Sequence, residues 1–248
     1  MKLISAVRNF FFPPICPGCH ECVKVKYGAR NEICTDCGMK WTSARATLCP
    51  RCSEPYHSCL CICKKLEVAG ASAHIKLVPY TSREGIANSI VHYIKRVNDK
   101  RIFLMLGREL SHEIDIYCNR MGLHREDAVL TYSPRRRRTV IDIGFDQARL
   151  LALAISKHSG ISTVKLLRRR NSGGLAQKKL NAEERLKNVR GMFDFCGNGK
   201  LNGKVVFLID DLVTTGATLG ECVRILKKNG AALVICVSVA YTEKDNNR

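Results

Sequence analysis

The spacing of the cysteines restricts the possible fold of this chain more than any other feature, because ten of the 14 fall between residues 16 and 63. Three pairs with the spacing C-x-x-C are followed by a fourth group: Cys16 and Cys19, Cys34 and Cys37, Cys49 and Cys52, then Cys59, Cys61 and Cys63. Two intervening residues let a tight turn direct both sulfur atoms at one ion, and four thiolates form a closed tetrahedral zinc site. The pattern therefore predicts structural zinc, one ion or two, with no open position for catalysis.

Eight thiolates would bind two zinc ions, and sequential pairing of the knuckles is the natural arrangement. The first two pairs would bind one ion, and the third pair would bind the other with two members of the Cys59–Cys63 group. One cysteine of that group can be free, and a crossed pairing also stays open. Because so short a segment cannot bury a sufficient core, metal binding must supply on the order of 10 kcal/mol per site. We expect residues 1–66 to form an N-terminal helix and this double zinc-ribbon module.

The balance of charges is unusual for a chain of otherwise ordinary composition. Lysine and arginine number 41 against 22 acidic residues, which gives a formal net charge of +19. Such an excess favours polyanionic partners, including nucleic acid and phosphorylated metabolites. The sequence shows no secretory signal and no apolar run of the roughly 18 residues that a membrane span needs. A cytoplasmic location is expected, with thiols that are reduced or bound to metal.

Beyond about residue 67 the hydrophobic pattern alternates between strands and helices. Strands are predicted at 72–80, 128–132, 163–167, 204–209 and 233–240, and helices at 86–97, 102–118, 145–158 and 218–228. This alternation indicates an α/β fold with a mostly parallel sheet that is covered on both faces. Ligands of such sheets bind at the carboxyl ends of the strands. Residues 67–248 are therefore expected to form the second domain.

The segment from Val205 to Thr218 carries the most specific chemistry. An apolar strand is followed by Asp210 and Asp211, and then by a small hydroxylated turn that opens a helix. Backbone N–H groups of such a turn, together with the positive end of the helix, can bind a phosphate. The candidate phosphate-binding residues are Thr214, Thr215, Gly216, Ala217 and Thr218. The two carboxylates would repel a phosphate, but they can accept hydrogen bonds from ribose hydroxyls or bind Mg²⁺.

This segment resembles the phosphoribosyl pyrophosphate (PRPP) signature of type I phosphoribosyltransferases. With the cysteine knuckles, three further blocks resemble the ComF family, which includes proteins needed for natural DNA uptake in bacteria: Gly144-Phe-Asp-Gln147, Arg170-Asn-Ser with Gln177, and Glu184-Arg-x-x-Asn188. The resemblance covers nearly the whole chain. It implies a type I phosphoribosyltransferase-like domain in which Asp210 and Asp211 hold the ribose hydroxyls. It also implies that the Thr214–Thr218 loop holds the 5-phosphate and that Mg²⁺ accompanies PRPP.

Two arginine runs, at 135–138 and 168–170, follow predicted strands near the place where the pyrophosphate of PRPP would lie. Arginine forks suit such a polyanion, although a solvated basic surface explains the runs equally well. The polar stretch that follows resembles the flexible loop which closes over the reacting centre in phosphoribosyltransferases. The candidate residues for pyrophosphate and loop contacts are Arg135, Arg138, Arg170, Gln177 and Arg185.

The chain departs from the usual ComF pattern at two places. Ile143 and Asp146 stand where the family has arginine and asparagine, and Tyr132-Ser-Pro134 replaces Pro-Val-Pro at the pyrophosphate turn. The sequence therefore leaves open whether the chain is an enzyme and which oligomer it forms. It predicts a protein that binds PRPP or a related sugar phosphate and acts in DNA uptake through single-stranded DNA or a DNA-handling partner. The alternatives are an active phosphoribosyltransferase in nucleotide salvage or synthesis, and a zinc-braced adaptor without catalysis.

Overall fold

The computed structural model describes residues 13–23, 32–81, 85–170 and 191–242. Within these ranges the helices are α1 (Thr35–Ala46), α2 (Lys64–Val68), α3 (Ile86–Arg96), α4 (Lys100–Met121), α5 (Arg137–Ile143), α6 (Gln147–Ser159) and α7 (Ala217–Lys228). The strands are β1 (Ala73–Pro79), β2 (Ala128–Tyr132), β3 (Leu167–Arg169), β4 (Phe193–Phe195), β5 (Val205–Val213) and β6 (Leu233–Tyr241). The predicted N-terminal helix falls on residues 1–12, which lie outside the described residues.

Four of these strands form one parallel sheet in the order β1-β6-β5-β2. Strand β5 lies in the middle, with Val206 opposite Val129 of β2 and opposite Val234 of β6. Consecutive strands such as β5 and β6 run in the same direction because α7 returns the chain across the sheet. The parallel α/β sheet expected from the alternating pattern is therefore present.

The two faces of the sheet are covered by different helices. Val205, Phe207 and Ile209 of β5 pack into a core with α3, α4 and α6. Val206 and Leu208 point to the opposite face, where α2 and α7 form a second core. Because side chains of a strand alternate between faces, burial on both sides explains why β5 is an unbroken apolar run instead of an alternating one.

Helix α4 is the longest helix described, and its ends follow from its sequence. Asp99 accepts a hydrogen bond from the backbone N–H of Arg101 at the start, and Gly122 ends the helix in the left-handed conformation. In the middle, Gly107 lies against α6, where a Cβ atom would come within 2.6 Å of the Cβ of Ala154. The absence of a side chain at Gly107 therefore sets the close packing of the two helices.

One predicted strand, at 163–167, is wrong in its extent. Thr163 forms only an isolated parallel bridge with Leu130, and β3 begins at Leu167 and pairs antiparallel with β4. The hydrogen bond that would extend this pairing with β2 does not form. The backbone N–H of Leu166 donates instead to the side-chain hydroxyl of Thr131 and not to a backbone carbonyl. The chain therefore leaves the edge of the sheet after one contact and forms a separate hairpin.

The cysteine-rich segment contributes residues to two separate cores. Cys16, Val23 and Cys37 form one of them. Cys49 and Cys59 instead belong to the larger core under α7. Helix α2 crosses the expected domain boundary at residue 66, and the division into 1–66 and 67–248 stays a prediction.

Candidate functional site

The acidic pair lies on β5 at the level where its neighbour β2 has ended. Tyr132, the last residue of β2, is opposite Ile209 of β5. The next residue, Asp210, is paired in the sheet only with Ser238 of β6. Strand β5 continues to Val213, so it ends four residues beyond the predicted end at Ile209. The acidic pair therefore lies toward the carboxyl edge of the sheet, where ligands of parallel α/β sheets bind.

Asp211 is buried and faces two cations. Its Oδ2 atom lies 3.0 Å from Nη2 of Arg135 and 3.9 Å from Nζ of Lys95. Its other oxygen, Oδ1, accepts a hydrogen bond from the backbone N–H of Leu212. These contacts compensate the negative charge of a side chain that is only 7% exposed. In this conformation the carboxylate is engaged by cations, and a ribose would have to replace them.

Asp210 occupies a different environment from its neighbour. Its carboxylate accepts the backbone N–H of Asp211 at 2.9 Å, and no ion pair to it is present among the described residues. Burial of the carboxyl group and the negative charge of Asp211 raise the pKa of Asp210 well above its usual range, against the opposing hydrogen bond of Ser133. Hydrogen bonds that a ligand donated to this carboxyl group would favour its charged form and lower this pKa.

The turn after β5 joins the strand to α7 through Gly216, which has a left-handed backbone with φ of 71°. A Cβ atom at this position would lie 2.6 Å from Sγ of Cys63 and 3.2 Å from Cγ of Leu66. Glycine is therefore required here both by the backbone angle and by the packed cysteine module. The hydroxyl of Thr215 accepts a hydrogen bond from the backbone N–H of Ala217 at 3.4 Å, while Thr214 is exposed.

The same turn borders a cavity of about 160 Å³ between α2 and α7. Gly216 and Ala217 line it, and Lys64, Lys65 and Arg224 contribute its cationic side chains. Positive charge around the start of α7 adds to the positive end of the helix. The loop therefore lies in a basic environment on the side that faces the cysteine module.

The candidate arginines separate into two groups. Arg135 is the one that the structure brings to the acidic pair, whereas Arg138 is exposed on α5. Arg170 forms an ion pair of 2.6 Å with Asp194. Burial, and to a smaller extent the positive charge of Arg136 in the other run, lowers the pKa of Arg169. Gln177 and Arg185 lie outside the described residues.

The sulfur atoms gather into two sets of four. One consists of Cys16, Cys19, Cys34 and Cys37, and the other of Cys49, Cys52, Cys59 and Cys61. The ligand atoms of each set lie within 4.8 Å of one another, which fits a tetrahedral thiolate site. The grouping is the sequential one, and it is consistent with two structural zinc ions.

Cys63 is the member of the last group that is left outside both sets. Its sulfur lies 3.9 Å from the carbonyl oxygen of Thr215 and packs against Gly216. The sequence required only two of the three cysteines in this group, and the structure selects Cys59 and Cys61. Cys63 therefore contacts the candidate phosphate loop instead of the metal set.

The chain is similar in sequence to a known domain family and to several curated proteins. The phosphoribosyl transferase domain family matches residues 160–247. DNA utilization protein YhgH of Escherichia coli strain K12 is 28% identical over 205 residues, which cover 82% of this chain and 87% of the relative. Competence protein ComFC of Bacillus subtilis strain 168 is 26% identical over 209 residues, which cover 82% of this chain and 80% of the relative. Competence protein F of Haemophilus influenzae is 31% identical over 88 residues, or 35% of this chain and 38% of the relative. This chain belongs to the ComF family.

The fold of this ComF-family protein is a phosphoribosyltransferase-like α/β fold with a cysteine-rich segment able to bind zinc. Among solved structures, the purine phosphoribosyltransferase of Pyrococcus horikoshii is similar at 19% identity with a TM-score of 0.28, covering 54% of this chain and 85% of its own. The AQ2163 protein of Aquifex aeolicus is similar at 11% identity with a TM-score of 0.38, covering 68% of this chain and 88% of its own. Within the described residues, no helix combines the length and apolar content that crossing a bilayer requires.

The sequence did not indicate that Lys95 would lie close to the acidic pair. It lies in the last turn of α3, where a basic residue is also the usual partner of the helix dipole. Its backbone carbonyl accepts a hydrogen bond from the buried side chain of Gln147, at 2.8 Å. Gln147 belongs to the family block Gly144–Gln147, so this contact gives that block a structural role. No sequence signal links Lys95 to Asp211 across the fold.

Proposed function

We propose that this ComF-family protein binds PRPP or a related sugar phosphate and acts in DNA uptake, through single-stranded DNA or a DNA-handling partner. Asp210 and Asp211 orient the ribose, and residues 214–218 bind its 5-phosphate. The observation that carries the proposal is the ion-paired cluster of Arg135 and Lys95 with Asp211, which lies on the strand that leads into the turn at Gly216. It combines carboxylates for hydroxyl groups with cations for a pyrophosphate.

Binding of PRPP would rearrange the cluster. The pyrophosphate carries more negative charge than Asp211, so it would draw the Arg135 guanidinium and the Lys95 ammonium toward itself. Asp211 would then be free to accept hydrogen bonds from the ribose hydroxyls. Mg²⁺ would neutralise part of the pyrophosphate charge. Arg135 therefore pairs with Asp211 in the absence of PRPP and with the pyrophosphate in its presence.

The DNA role is supported by the names of the relatives and by the arginines beside this edge of the sheet. Arg136 and Arg138 are exposed, and Arg168 and Arg170 are each at least 60% exposed at their side chains. Arginines that project from two neighbouring segments suit the phosphates of a flexible single strand. The cytoplasmic location expected from the sequence is compatible with this role and stays a prediction.

Single-stranded DNA binding is tested by fluorescence anisotropy with a labelled oligonucleotide at 50 and 200 mM salt. We expect the affinity to fall about tenfold or more over this range, because bound phosphates release their counterions. Replacing Arg136, Arg137 and Arg138 by serine should flatten the salt dependence, and a matched triple replacement of Lys200, Lys204 and Lys228 should not. Salt-insensitive binding, or none, would contradict direct DNA binding and leave a protein partner, identified by co-purification, as the remaining form of the proposal.

An active phosphoribosyltransferase is the second candidate, and the position of Arg135 favours it. In such a reaction the bond from C1 of the ribose to pyrophosphate breaks, and a nucleophile forms a new bond to C1. Pyrophosphate leaves with the electron pair, and the nucleophile loses its proton to solvent. Arg135 would stabilise the leaving group. Pyrophosphate release from PRPP, assayed over a panel of nucleobases and amines, would support this candidate if Asp210→Ala abolishes it. Absence of release over the whole panel would count against catalysis.

A further inference from the structure

Lys76 is a fully buried lysine in the middle of β1, with 1% of its surface exposed. Its Nζ donates hydrogen bonds to the carbonyl oxygens of Cys59 at 3.1 Å, Cys61 at 3.0 Å and His74 at 3.3 Å. It also lies 3.3 Å from Sγ of Cys59. Among the residues that the structure describes, no carboxylate comes within ion-pair distance of this ammonium group.

A buried ammonium group without a counter-charge is costly, and carbonyl dipoles compensate only part of that cost. Nζ also lies 6.0 Å from the ring centroid of Tyr56 and 5.7 Å from that of Tyr241, which adds a weak cation–π attraction. The nearest atom that can carry a full negative charge is the sulfur of Cys59. Four neutral thiols would offer Lys76 no counter-charge, whereas a divalent ion bound by four thiolates carries a net charge of −2.

We propose that Lys76 is the outer-shell partner of the second metal centre, formed by Cys49, Cys52, Cys59 and Cys61. Its ammonium group balances part of the charge of the four-thiolate site and donates to the sulfur of Cys59. Its hydrogen bonds to two carbonyls hold the backbone that carries Cys59 and Cys61. Since β1 pairs with β6 in the main sheet, Lys76 joins this metal centre directly to the α/β fold.

The first set of cysteines differs in this respect. Among the described residues, no lysine or arginine side chain donates to a sulfur of Cys16, Cys19, Cys34 or Cys37. The sulfur of Cys16 is contacted instead by the backbone N–H of Cys34 at 3.5 Å. The two centres should therefore respond differently to the loss of Lys76, so the first centre is an internal control. The inference depends on the cysteine sets and β1, and it does not require the sugar-phosphate site.

The test uses the full chain loaded with zinc and the variants Lys76→Met, Lys76→Gln and Lys64→Met. Methionine removes the charge and the donors, and glutamine keeps a donor without the charge. Lys64→Met is the control, because Lys64 is an exposed lysine whose side chain is 79% accessible. Zinc content, and zinc release to an excess of a chromogenic chelator, are measured for each protein. The same proteins are then loaded with Co²⁺, whose sulfur charge-transfer absorption reports hydrogen bonds to the thiolates.

We expect two zinc ions per wild-type chain. In Lys76→Met one of the two should bind about tenfold or more weakly, as is usual for the loss of an outer-shell partner. The other ion should keep its wild-type release rate, and Lys64→Met should match wild type for both. In Lys76→Gln the metal affinity of the weakened site should be intermediate between the affinities in wild type and in Lys76→Met. The cobalt charge-transfer band of one site should shift in Lys76→Met.

Three results would overturn the assignment. One is release of both ions from Lys76→Met at wild-type rates with an unchanged cobalt spectrum. Another is a wild-type chain that binds metal at the first set alone. The third is loss of both ions in both Lys76 variants, which would mean that Lys76 supports the whole fold and not one metal centre.

Discussion

Arg135 and Asp211 form an ion pair of 3.0 Å that links the segment after β2 to strand β5, although the two residues are 76 positions apart. Arg138 belongs to the same arginine run but is exposed on α5, and it forms no ion pair within the described part of the chain. Arg135 therefore forms a structural contact that Arg138, in the same run, lacks.

The first prediction concerns this ion pair. Arg135→Ala should lower the free energy of unfolding by about 1–3 kcal/mol, because the buried Asp211 then keeps only the more distant Lys95 as a cationic partner. Arg138→Ala should change it by less than about 0.5 kcal/mol. Urea unfolding of the two variants, followed by circular dichroism, measures the difference. Equal unfolding free energies in the two variants would mean that the ion pair is not formed in solution.

The second prediction concerns the pKa of Asp210, which is raised in the folded state. Between the ordinary pKa of an aspartate and this raised value, the folded state binds more protons than the unfolded state. Stability must therefore fall as pH rises through that interval. Asp210→Asn should remove this slope and raise the melting temperature near pH 7 in the absence of ligand. Melting curves from pH 4 to 9 provide the test, and an unchanged pH profile in the variant would refute the raised pKa.

The third prediction concerns Gly216. A side chain at this position is strained by its positive φ and would also meet Cys63. Gly199 has a positive φ of 85° as well, but its Cβ position is open. Gly199→Ala should cost about 1 kcal/mol of stability, and Gly216→Ala should cost about 1–3 kcal/mol more. Thermal denaturation of the two variants isolates the steric contribution, and equal costs would show that Cys63 does not support the loop.

The fourth prediction concerns the two metal sets. Cys59 belongs to the core under α7, whereas Cys19 is exposed in the first set. Cys59→Ser should therefore lower the main melting temperature by about 5 °C or more, and Cys19→Ser by less than about 2 °C. Each variant should lose one of two zinc ions, as measured by elemental analysis. If the melting temperature of Cys19→Ser is as low as that of Cys59→Ser, the two sets do not differ in their connection to the α/β core.

Local patterns in the sequence were sufficient for most of the α/β fold. The apolar run of β5 and the periodic helix α7 were predicted to within a few residues, because burial on both faces and helical spacing are local signals. The strand predicted at 163–167 was wrong because the hydroxyl of Thr131, distant in sequence, replaces a ladder bond. Local propensity cannot anticipate such a contact.

The sequence predicts the candidate site residues that belong to one contiguous motif, but it does not predict those that the fold brings in from distant segments. Asp210, Asp211 and residues 214–218 follow from one contiguous segment. Lys95 comes from the end of α3, and only the tertiary structure brings it to Asp211. The sequence does indicate that Lys76 is unusual, because a lysine inside a buried strand requires a partner. It does not identify that partner as a cysteine set.

The central claim is that the acidic pair and the adjoining turn bind a sugar phosphate. Calorimetric titration of PRPP with Mg²⁺ into the wild-type chain, Asp210→Asn and the exposed control Asp142→Asn tests it most directly. The account predicts one site per wild-type chain, unchanged affinity in Asp142→Asn, and affinity about tenfold or more weaker in Asp210→Asn. No binding heat in the wild type, or equal affinity in all three proteins, would contradict it.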